Sequence, residues 1–170
     1  MSDPSIREAI ERLSAAISAD PAKARAKNAS ATARVTEGLR CEVTGPRDER
    51  AVTDMPPAMG GKASGPNPGW LLRAAMASCT ATVIAMRAAK LGVALSTLEV
   101  QVDSESDTRG ILGLDERVSA GLGVLRTTVR IGGNAESQSL RELVAWADAH
   151  SPVGCTVRRA PACSLDVEVV

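Results

Sequence analysis

Cysteine and histidine are the residues of this 170-residue chain whose side chains could act as nucleophiles, redox centres or metal ligands. The chain has one histidine, His150, and four cysteines, Cys41, Cys79, Cys155 and Cys163. No two cysteines form a Cys-x-x-Cys pair, and the histidine has no metal-ligand spacing to any of them. We therefore expect neither a metal site nor a cofactor, and any chemistry falls to a thiol.

Composition and charge argue against several kinds of partner. Lys and Arg total 20, Asp and Glu also total 20, and the two Trp are the only aromatics besides the histidine. The chain thus lacks the basic patch and the stacking residues typical of nucleic-acid binding. The first residues do not resemble a signal peptide, and basic residues interrupt the longest apolar stretch, residues 70–91. We expect a cytoplasmic protein with reduced thiols and no membrane or nucleic-acid partner.

Cys79 lies in the most hydrophobic predicted helix. Asn67-Pro68 is typical of a helix start, and Gly92 of a helix end. The helix between them is apolar nearly all the way round, so we expect it to be buried on most sides. The residues one turn from the thiol are Ala75, Met76, Thr82 and Val83.

Two roles fit Cys79. Free cysteine is among the most buried residue types, and apolar surroundings disfavour the thiolate, so the helix alone favours structural packing. A nucleophile at neutral pH needs a positive charge from elsewhere in the chain. Arg73 is six residues away and lies on another face of the helix. Arg40 and Arg47, in the predicted first hairpin, remain as candidates, and each is equally well explained as a solvated turn residue.

The remaining patterns predict one α+β domain. An amphipathic helix over residues 5–18 belongs to an N-terminal arm, residues 1–30, and the domain spans residues 31–170. A helix with the Ser139-x-x-Glu142 start ends at Ser151-Pro152, where a short helical turn follows. Strands are predicted at residues 31–43 with a break near Gly38, at 50–54, 95–108 and 116–131, and at the C-terminus, where Cys163, Leu165, Val167 and Val169 share one face.

The helix sequence also resembles a known family. Residues 65–81, GPNPGWLLRAAMASCTA, are similar to the central helix of the osmotically inducible protein C and organic hydroperoxide resistance (OsmC/Ohr) family, which typically shows N-P-x-x-L-L-x-A-x-x-[AS]-C. Two further segments agree in the same order, DTRGILG at residues 107–113 and ADAHSPV at residues 147–153. The resemblance covers about residues 31–170.

The resemblance implies a homodimer of interwoven subunits, each with central helices against a curved antiparallel sheet. Active members of the family are cysteine peroxidases that reduce organic hydroperoxides, and Cys79 matches the peroxidatic position. A second cysteine then forms a disulfide with the first, and an external dithiol reduces it. An arginine stabilises the thiolate and the departing alkoxide.

The sequence departs from the family pattern at two positions, and it does not decide which arginine matches the one that stabilises the thiolate. Gly69 stands where peroxidase members have a glutamate that orients the arginine, and Ser151 stands where they have the resolving cysteine. Cys155, near the start of the same short helix, either substitutes as the resolving thiol or fills a gap in the packing. Arg47 matches the family's T-G-x-R-D turn. Arg40 is favoured by spacing, because the number of residues between it and Cys79 is closer to the usual spacing in the family.

Three hypotheses follow from these residues. The first is a thiol peroxidase with Cys79 as nucleophile and Cys155 or an external thiol completing the cycle. The second is a non-catalytic dimeric member of the family, either a stress-associated protein or one that binds an apolar, fatty-acid-like ligand, which the changes at Gly69 and Ser151 favour. The third is a redox sensor that switches through a disulfide between Cys79 and Cys155.

Overall fold

The computed structural model describes residues 4–170, and its helices and strands follow the predicted patterns through most of the chain. Short 3-10 turns lie at Pro21–Ala24 and Pro57–Met59. The other elements, in chain order, are α1 (Pro4–Ala19), β1 (Thr32–Glu37), β2 (Arg40–Thr44), β3 (Arg50–Thr53), α2 (Pro68–Leu91), β4 (Leu95–Glu105), α3 (Thr108–Ile111), β5 (Val124–Gly133), α4 (Ser137–His150) and α5 (Pro152–Arg158).

The chain forms two compact units, each built from separate stretches of the sequence. The first unit contains residues 4–7, 76–101 and 128–170, and the second contains residues 8–75 and 102–127. The division into an arm over residues 1–30 and a domain over 31–170 stays a prediction.

The second unit contains a three-stranded antiparallel sheet with the strand order β1-β2-β3. The predicted break at Gly38 is the hairpin turn between β1 and β2, where the glycine has φ 56°. This left-handed conformation is strained for residues with a side chain, so glycine suits the turn. Val35 pairs with Cys41, and Cys41 pairs in turn with Thr53 of β3.

The core of the first unit joins α2 to α4. Ile84 and Ala88, one turn apart on α2, pack with Leu143 and Ala147, one turn apart on α4. Partly buried residues of β4 and β5, which pair with each other in a second sheet, complete this cluster. The i, i+4 spacing predicted both helices, and the core lies where their two stripes meet.

The prediction that α2 is buried on most sides is wrong for the single chain. Its buried residues form one stripe, namely Met76, Thr80, Ile84, Ala88 and Ala89. Trp70, Leu72, Met86 and Leu91 on the same helix are exposed. The elements of one chain cover only one face of this helix, and that leaves apolar surface outside.

By length and composition alone, α2 is also long and apolar enough to cross a membrane, and 17% of the apolar window lies buried inside the protein. The helix meets these criteria of length and composition although basic residues interrupt residues 70–91. The core helix of a soluble protein can have the same length and composition.

The predicted C-terminal strand is not formed. Residues 160–170 have no regular secondary structure, and Leu165, Val167 and Val169 are at least 77% exposed. Cys163 is exposed rather than part of a core, whereas Cys41 on β2 is half-buried. A strand needs a neighbouring edge to bond its amides and carbonyls, and alternation in sequence does not supply one. The strand predicted over 116–131 likewise begins only at Val124.

Candidate active site

Cys79 lies in the middle of α2, whose ends are formed by local signals. The side chain of Asn67 accepts a hydrogen bond from the amide of Trp70 at 2.8 Å, and Pro68 is the first helical residue. Gly92, with φ 72°, ends the helix. As predicted, an N-cap, a proline and a C-terminal glycine define the helix that carries the thiol. The thiol is free and half-buried.

The contact that defines the site joins Cys79 to Ser151. Ser151 connects α4 to α5 and is completely buried. Its Oγ accepts a hydrogen bond from the amide of Gly154 at 3.3 Å, which makes it the N-cap of α5 as predicted. The same hydroxyl donates to Sγ of Cys79 at 3.3 Å. The two positions that the family resemblance pairs are therefore adjacent in this fold.

Cys155 lies one helical turn further along, at the same junction. Its amide donates to the carbonyl oxygen of Ser151 at 2.8 Å, and its Sγ donates to the carbonyl oxygen of Ala149 at 3.2 Å. The thiol is half-buried and forms no disulfide. Both candidate cysteines thus contact the α4–α5 junction, Cys79 through a side chain and Cys155 through a backbone carbonyl.

A cation lies beside Cys155. Nη2 of Arg158 is 3.7 Å from Sγ, and Nη1 is 3.0 Å from a carboxylate oxygen of Asp148. The hydrogen bond that Arg158 donates to the Asp148 carboxylate is the main cause that raises the pKa of Arg158 above its ordinary value. Arg158 was not among the predicted site residues, although its position three residues after Cys155 in a predicted helical turn indicates the contact.

The two predicted arginines both lie in the second unit. Arg40 begins β2, and its Nη1 donates to Glu42 at 2.6 Å and to Thr36 at 3.1 Å. Arg47 lies in the turn between β2 and β3, where its amide donates to the side chain of Glu49 at 2.8 Å. Arg40 is therefore held by side chains near its own strand, whereas the bond between Arg47 and Glu49 uses the backbone amide of the arginine.

The second unit also contains an open cavity of about 750 Å³. Its apolar lining includes Met55, Met59, Leu72, Val102, Ile111 and Leu122, with Asp103 and Asp107 among the polar residues. Arg73 also lines the cavity, and its Nη1 donates to Oγ of Ser104 at 2.9 Å. The cavity offers an apolar surface with a few charged groups, which is the usual character of a small-molecule site.

Gly69, at the family's glutamate position, lies against this arginine. A Cβ added at residue 69 would be 3.8 Å from Nη1 of Arg73. The guanidinium thus occupies the side of the helix to which a longer residue at 69 would extend. Sequence reasoning considered Arg73 only as a partner of Cys79 and missed its place in the cavity.

Asp54 holds the loop that contributes Met55 and Met59 to the cavity. Its carboxylate accepts hydrogen bonds from the amides of Met55 (2.8 Å), Lys62 (3.1 Å) and Ser64 (3.0 Å), and from the Ser64 hydroxyl (2.8 Å). These bonds, led by the Ser64 amide, lower the pKa of Asp54 to about 2 although its burial opposes the shift. A fixed negative charge therefore organises residues 55–64.

His150 ends α4, as predicted, and has a packing role. Its ring stacks on Trp146 with the centroids 3.9 Å apart, and its Nδ1 is 2.7 Å from the Trp146 carbonyl oxygen. The guanidinium carbon of Arg87 lies 4.3 Å from the centroid of the same indole ring. Among residues 4–170, no group of three or more His, Cys, Asp and Glu side chains could hold a metal ion.

A comparison with protein families agrees with this geometry. The model described as OsmC-like protein matches residues 61–166, which is more than half of the sequence. The chain belongs to the OsmC-like family. The matched range contains α2 with Cys79 and the α4–α5 junction with Ser151 and Cys155, so the predicted family is confirmed.

Solved structures of OsmC-like proteins share this fold. The OsmC-like protein from Mycoplasma pneumoniae has a TM-score of 0.68 at 16% identity, over 80% of this chain and 91% of that one. An organic hydroperoxide resistance protein OsmC from Legionella pneumophila has a TM-score of 0.63 at 20% identity, over 79% and 92%. The organic hydroperoxide resistance protein OhrB of Bacillus subtilis has a TM-score of 0.52 at 21% identity, over 79% and 93%. Among curated protein sequences, none matches this OsmC-like chain.

Proposed function

We propose that this OsmC-like protein is a thiol-dependent peroxidase that reduces organic hydroperoxides through Cys79. The Cys79 thiolate attacks the terminal oxygen of the hydroperoxide, the O–O bond breaks, and the alkoxide takes up a proton to leave as an alcohol. The sulfur becomes a sulfenic acid, oxidised by two electrons. A thiol then condenses with it and releases water, and a second thiol restores Cys79 by thiol–disulfide exchange.

The adjacency of Cys79 and Ser151 carries this proposal. The family pattern pairs these two positions, and in this chain they are 3.3 Å apart, between Oγ and Sγ. Positions 79 and 151 are thus in contact although residue 151 is a serine rather than a cysteine. The thiol is free and half-buried rather than sealed in the core, as a peroxide-reactive sulfur must be. Solved neighbours named organic hydroperoxide resistance proteins support the same chemistry.

Cys155 is the candidate resolving thiol. It belongs to the same short helix as the Ser151 cap, and Nη2 of Arg158 lies 3.7 Å from its sulfur. A disulfide with Cys79 requires the Cys155 sulfur to leave the Ala149 carbonyl. If it does not, an external thiol resolves the sulfenic acid directly. Arg40 or Arg47 remains the candidate that stabilises the thiolate of Cys79.

A homodimer fits the apolar surface that one chain leaves uncovered. On α2, Trp70 is 49% exposed and Leu91 is 53% exposed, and the alternating C-terminal segment has no partner strand among residues 4–170. Apolar surface of this kind is usually buried against another subunit. The proposal therefore includes a cytoplasmic homodimer with an external dithiol reductant, and without membrane or nucleic-acid partners.

The cavity of the second unit favours one other function, the binding of a fatty-acid-like ligand without turnover. Its volume of about 750 Å³ and its mostly apolar lining suit an acyl chain. This hypothesis predicts saturable fatty-acid binding that survives Cys79→Ala. A third function, a redox switch between Cys79 and Cys155, requires a disulfide between them in the oxidised protein, which peptide mass spectrometry would detect.

The deciding experiment follows the consumption of an organic hydroperoxide by the purified protein with dihydrolipoamide as reductant. Wild type, Cys79→Ser and Cys155→Ser are compared, with Cys163→Ser as the matched control because that cysteine is exposed. We expect Cys79→Ser to abolish turnover and Cys163→Ser to leave it unchanged. Loss in Cys155→Ser as well identifies Cys155 as the resolving thiol, and retention identifies a one-cysteine enzyme. A wild-type protein without turnover contradicts the peroxidase proposal.

A further inference from the structure

The hydroxyl of Ser151 has two hydrogen-bond partners, one that donates to its oxygen and one that can accept its proton. The Gly154 amide, 3.3 Å from Oγ, can only donate, so the oxygen is the acceptor in that bond. The hydroxyl proton remains free to donate, and Sγ of Cys79 lies 3.3 Å away. The cap of α5 therefore points a donor at the sulfur.

This donor matters most in the thiolate form of Cys79. A thiolate carries no proton, so a hydrogen bond between the two side chains then runs from the serine hydroxyl to the sulfur. Hydrogen bonds to a charged acceptor are stronger than those between neutral groups. The Gly154 amide strengthens the donor further because it polarises the hydroxyl.

Burial makes the hydroxyl hard to replace. Ser151 is 0% exposed, so water has no access to the position of its side chain. Removing the hydroxyl would leave the sulfur without this donor and the Gly154 amide without its acceptor. The loss at the Gly154 amide occurs away from solvent, where an unpaired polar group is costly.

We propose that Ser151 is a positioning residue for Cys79, whose hydroxyl, oriented by the Gly154 amide, stabilises the thiolate. A residue that stands at the place of the resolving cysteine thereby prepares the reactive sulfur instead of capturing it. The proposal deepens the proposed function, on which its relevance to peroxide rests. Its test needs no peroxide, so the two proposals can fail separately.

The test measures alkylation of Cys79 by iodoacetamide from pH 5 to pH 10. Cys41, Cys155 and Cys163 are replaced by serine, so that one thiol remains. We expect Ser151→Ala to lower the rate at pH 7 about tenfold and to move the midpoint of the pH profile up by about one pH unit. The plateau at high pH stays unchanged, because there every molecule is a thiolate.

The matched control is Thr156→Ala. This variant removes a hydroxyl from the same helix, where Thr156 donates to the Pro152 carbonyl at 2.9 Å. A purely structural effect on α5 would alter thermal stability in both variants and leave the midpoint of the profile where it is. The proposal is overturned if the Ser151→Ala profile coincides with that of Thr156→Ala.

A second variant tests the contact even if Ser151→Ala does not fold. In the background with only Cys79, Ser151→Cys adds a thiol of similar size beside the sulfur. We expect mild oxidation to join positions 79 and 151 within one chain, detected by peptide mass spectrometry, whereas Thr156→Cys forms no such bond. Absence of the 79–151 disulfide shows that the two positions do not meet, and overturns the proposal.

Discussion

Asp54 and Ser151 each hold a stretch of backbone from a buried position, but their hydrogen bonding differs. Asp54 is a carboxylate that accepts four hydrogen bonds from residues 55–64, so its whole capacity serves its own loop. Ser151 accepts one hydrogen bond, from Gly154, and keeps a proton that it donates to Cys79. A buried side chain that only accepts hydrogen bonds from its own loop has a structural role. A buried side chain that also donates a hydrogen bond can act on a neighbouring reactive group.

The largest expected effect follows the loss of the Asp54 carboxylate, which only accepts. Asp54→Ala leaves the amides of Lys62 and Ser64 without their partner, in a region where the carboxylate is 2% exposed. We expect Tm to fall by on the order of 10 °C, measured by circular dichroism. Cys79 alkylation at neutral pH should change little at temperatures where the protein stays folded. A variant as stable as wild type would contradict the structural role of Asp54.

Two glycines sharpen the comparison, because each lies next to one of these two side chains. A Cβ at Gly61 would overlap the backbone carbonyl of Met55, which cannot move without displacing the loop. A Cβ at Gly154 would lie 3.3 Å from the Ser151 hydroxyl, a contact that a small shift relieves. We expect Gly61→Ala to lower Tm by several degrees. Gly154→Ala should lower Tm less than Gly61→Ala but should slow the alkylation of Cys79 at pH 7. If the two variants change Tm and the alkylation rate equally, Asp54 and Ser151 do not differ in role as described.

The charge of Asp54 predicts acid sensitivity that the neutral Ser151 lacks. The pKa of Asp54 is lowered from 3.8 to about 2, so the unfolded chain binds more protons between these values. The stabilisation is therefore complete above about pH 5 and is lost as the pH falls through 3.8 toward 2. We expect Asp54→Asn to flatten the fall of Tm between pH 4.5 and pH 2.5.

Asp107 is the control for that measurement. The hydrogen bonds of Arg109 lower the pKa of Asp107 to about 2 as well, but this ion pair is exposed and screened by solvent. Asp107→Asn should thus leave most of the acid sensitivity in place. A larger flattening in Asp107→Asn than in Asp54→Asn would show that the buried Asp54 is not the source.

The smallest expected effect concerns the arginines, whose roles rest on sequence alone. If Arg40 stabilises the thiolate of Cys79, Arg40→Ala should slow its alkylation at pH 7 several-fold, and Arg47→Ala should leave it unchanged. Thr36→Val keeps Arg40 and removes one of its hydrogen-bond partners, so it reports on the orientation of that arginine. If only Arg47→Ala slows the alkylation of Cys79, Arg47 is the residue that stabilises the thiolate. If neither variant slows it, neither arginine has this role.

Local signals in the sequence predicted most of the elements that carry the site. The cap at Asn67, the proline after it and the glycine at 92 delimit α2 as expected, and Ser151 caps α5. These signals act over three or four residues, so they are legible without knowledge of the fold. The family resemblance likewise rests on short contiguous runs, and it placed Cys79 at the peroxidatic position and Ser151 at the position of the resolving cysteine.

The errors lie where an element needs a distant partner. Residues 160–170 alternate like a strand but remain unpaired, and α2 is apolar on a face that no element of its own chain covers. Periodicity states that a face is apolar and does not state what covers it. The position of Arg73 in the cavity and the contact of Arg158 with Cys155 were also not predicted from the sequence.

The sequence by itself determined the helix that carries Cys79, the helix cap at Ser151 and the family to which both belong, because capping and helical spacing are local interactions. The tertiary structure decided that the hydroxyl of Ser151 meets the sulfur of Cys79, seventy-two residues away in the chain. It also decided that the thiol of Cys155 faces a backbone carbonyl. The packing of α2 against α4 sets these distances, and such packing depends on how whole faces fit together rather than on any short run of residues.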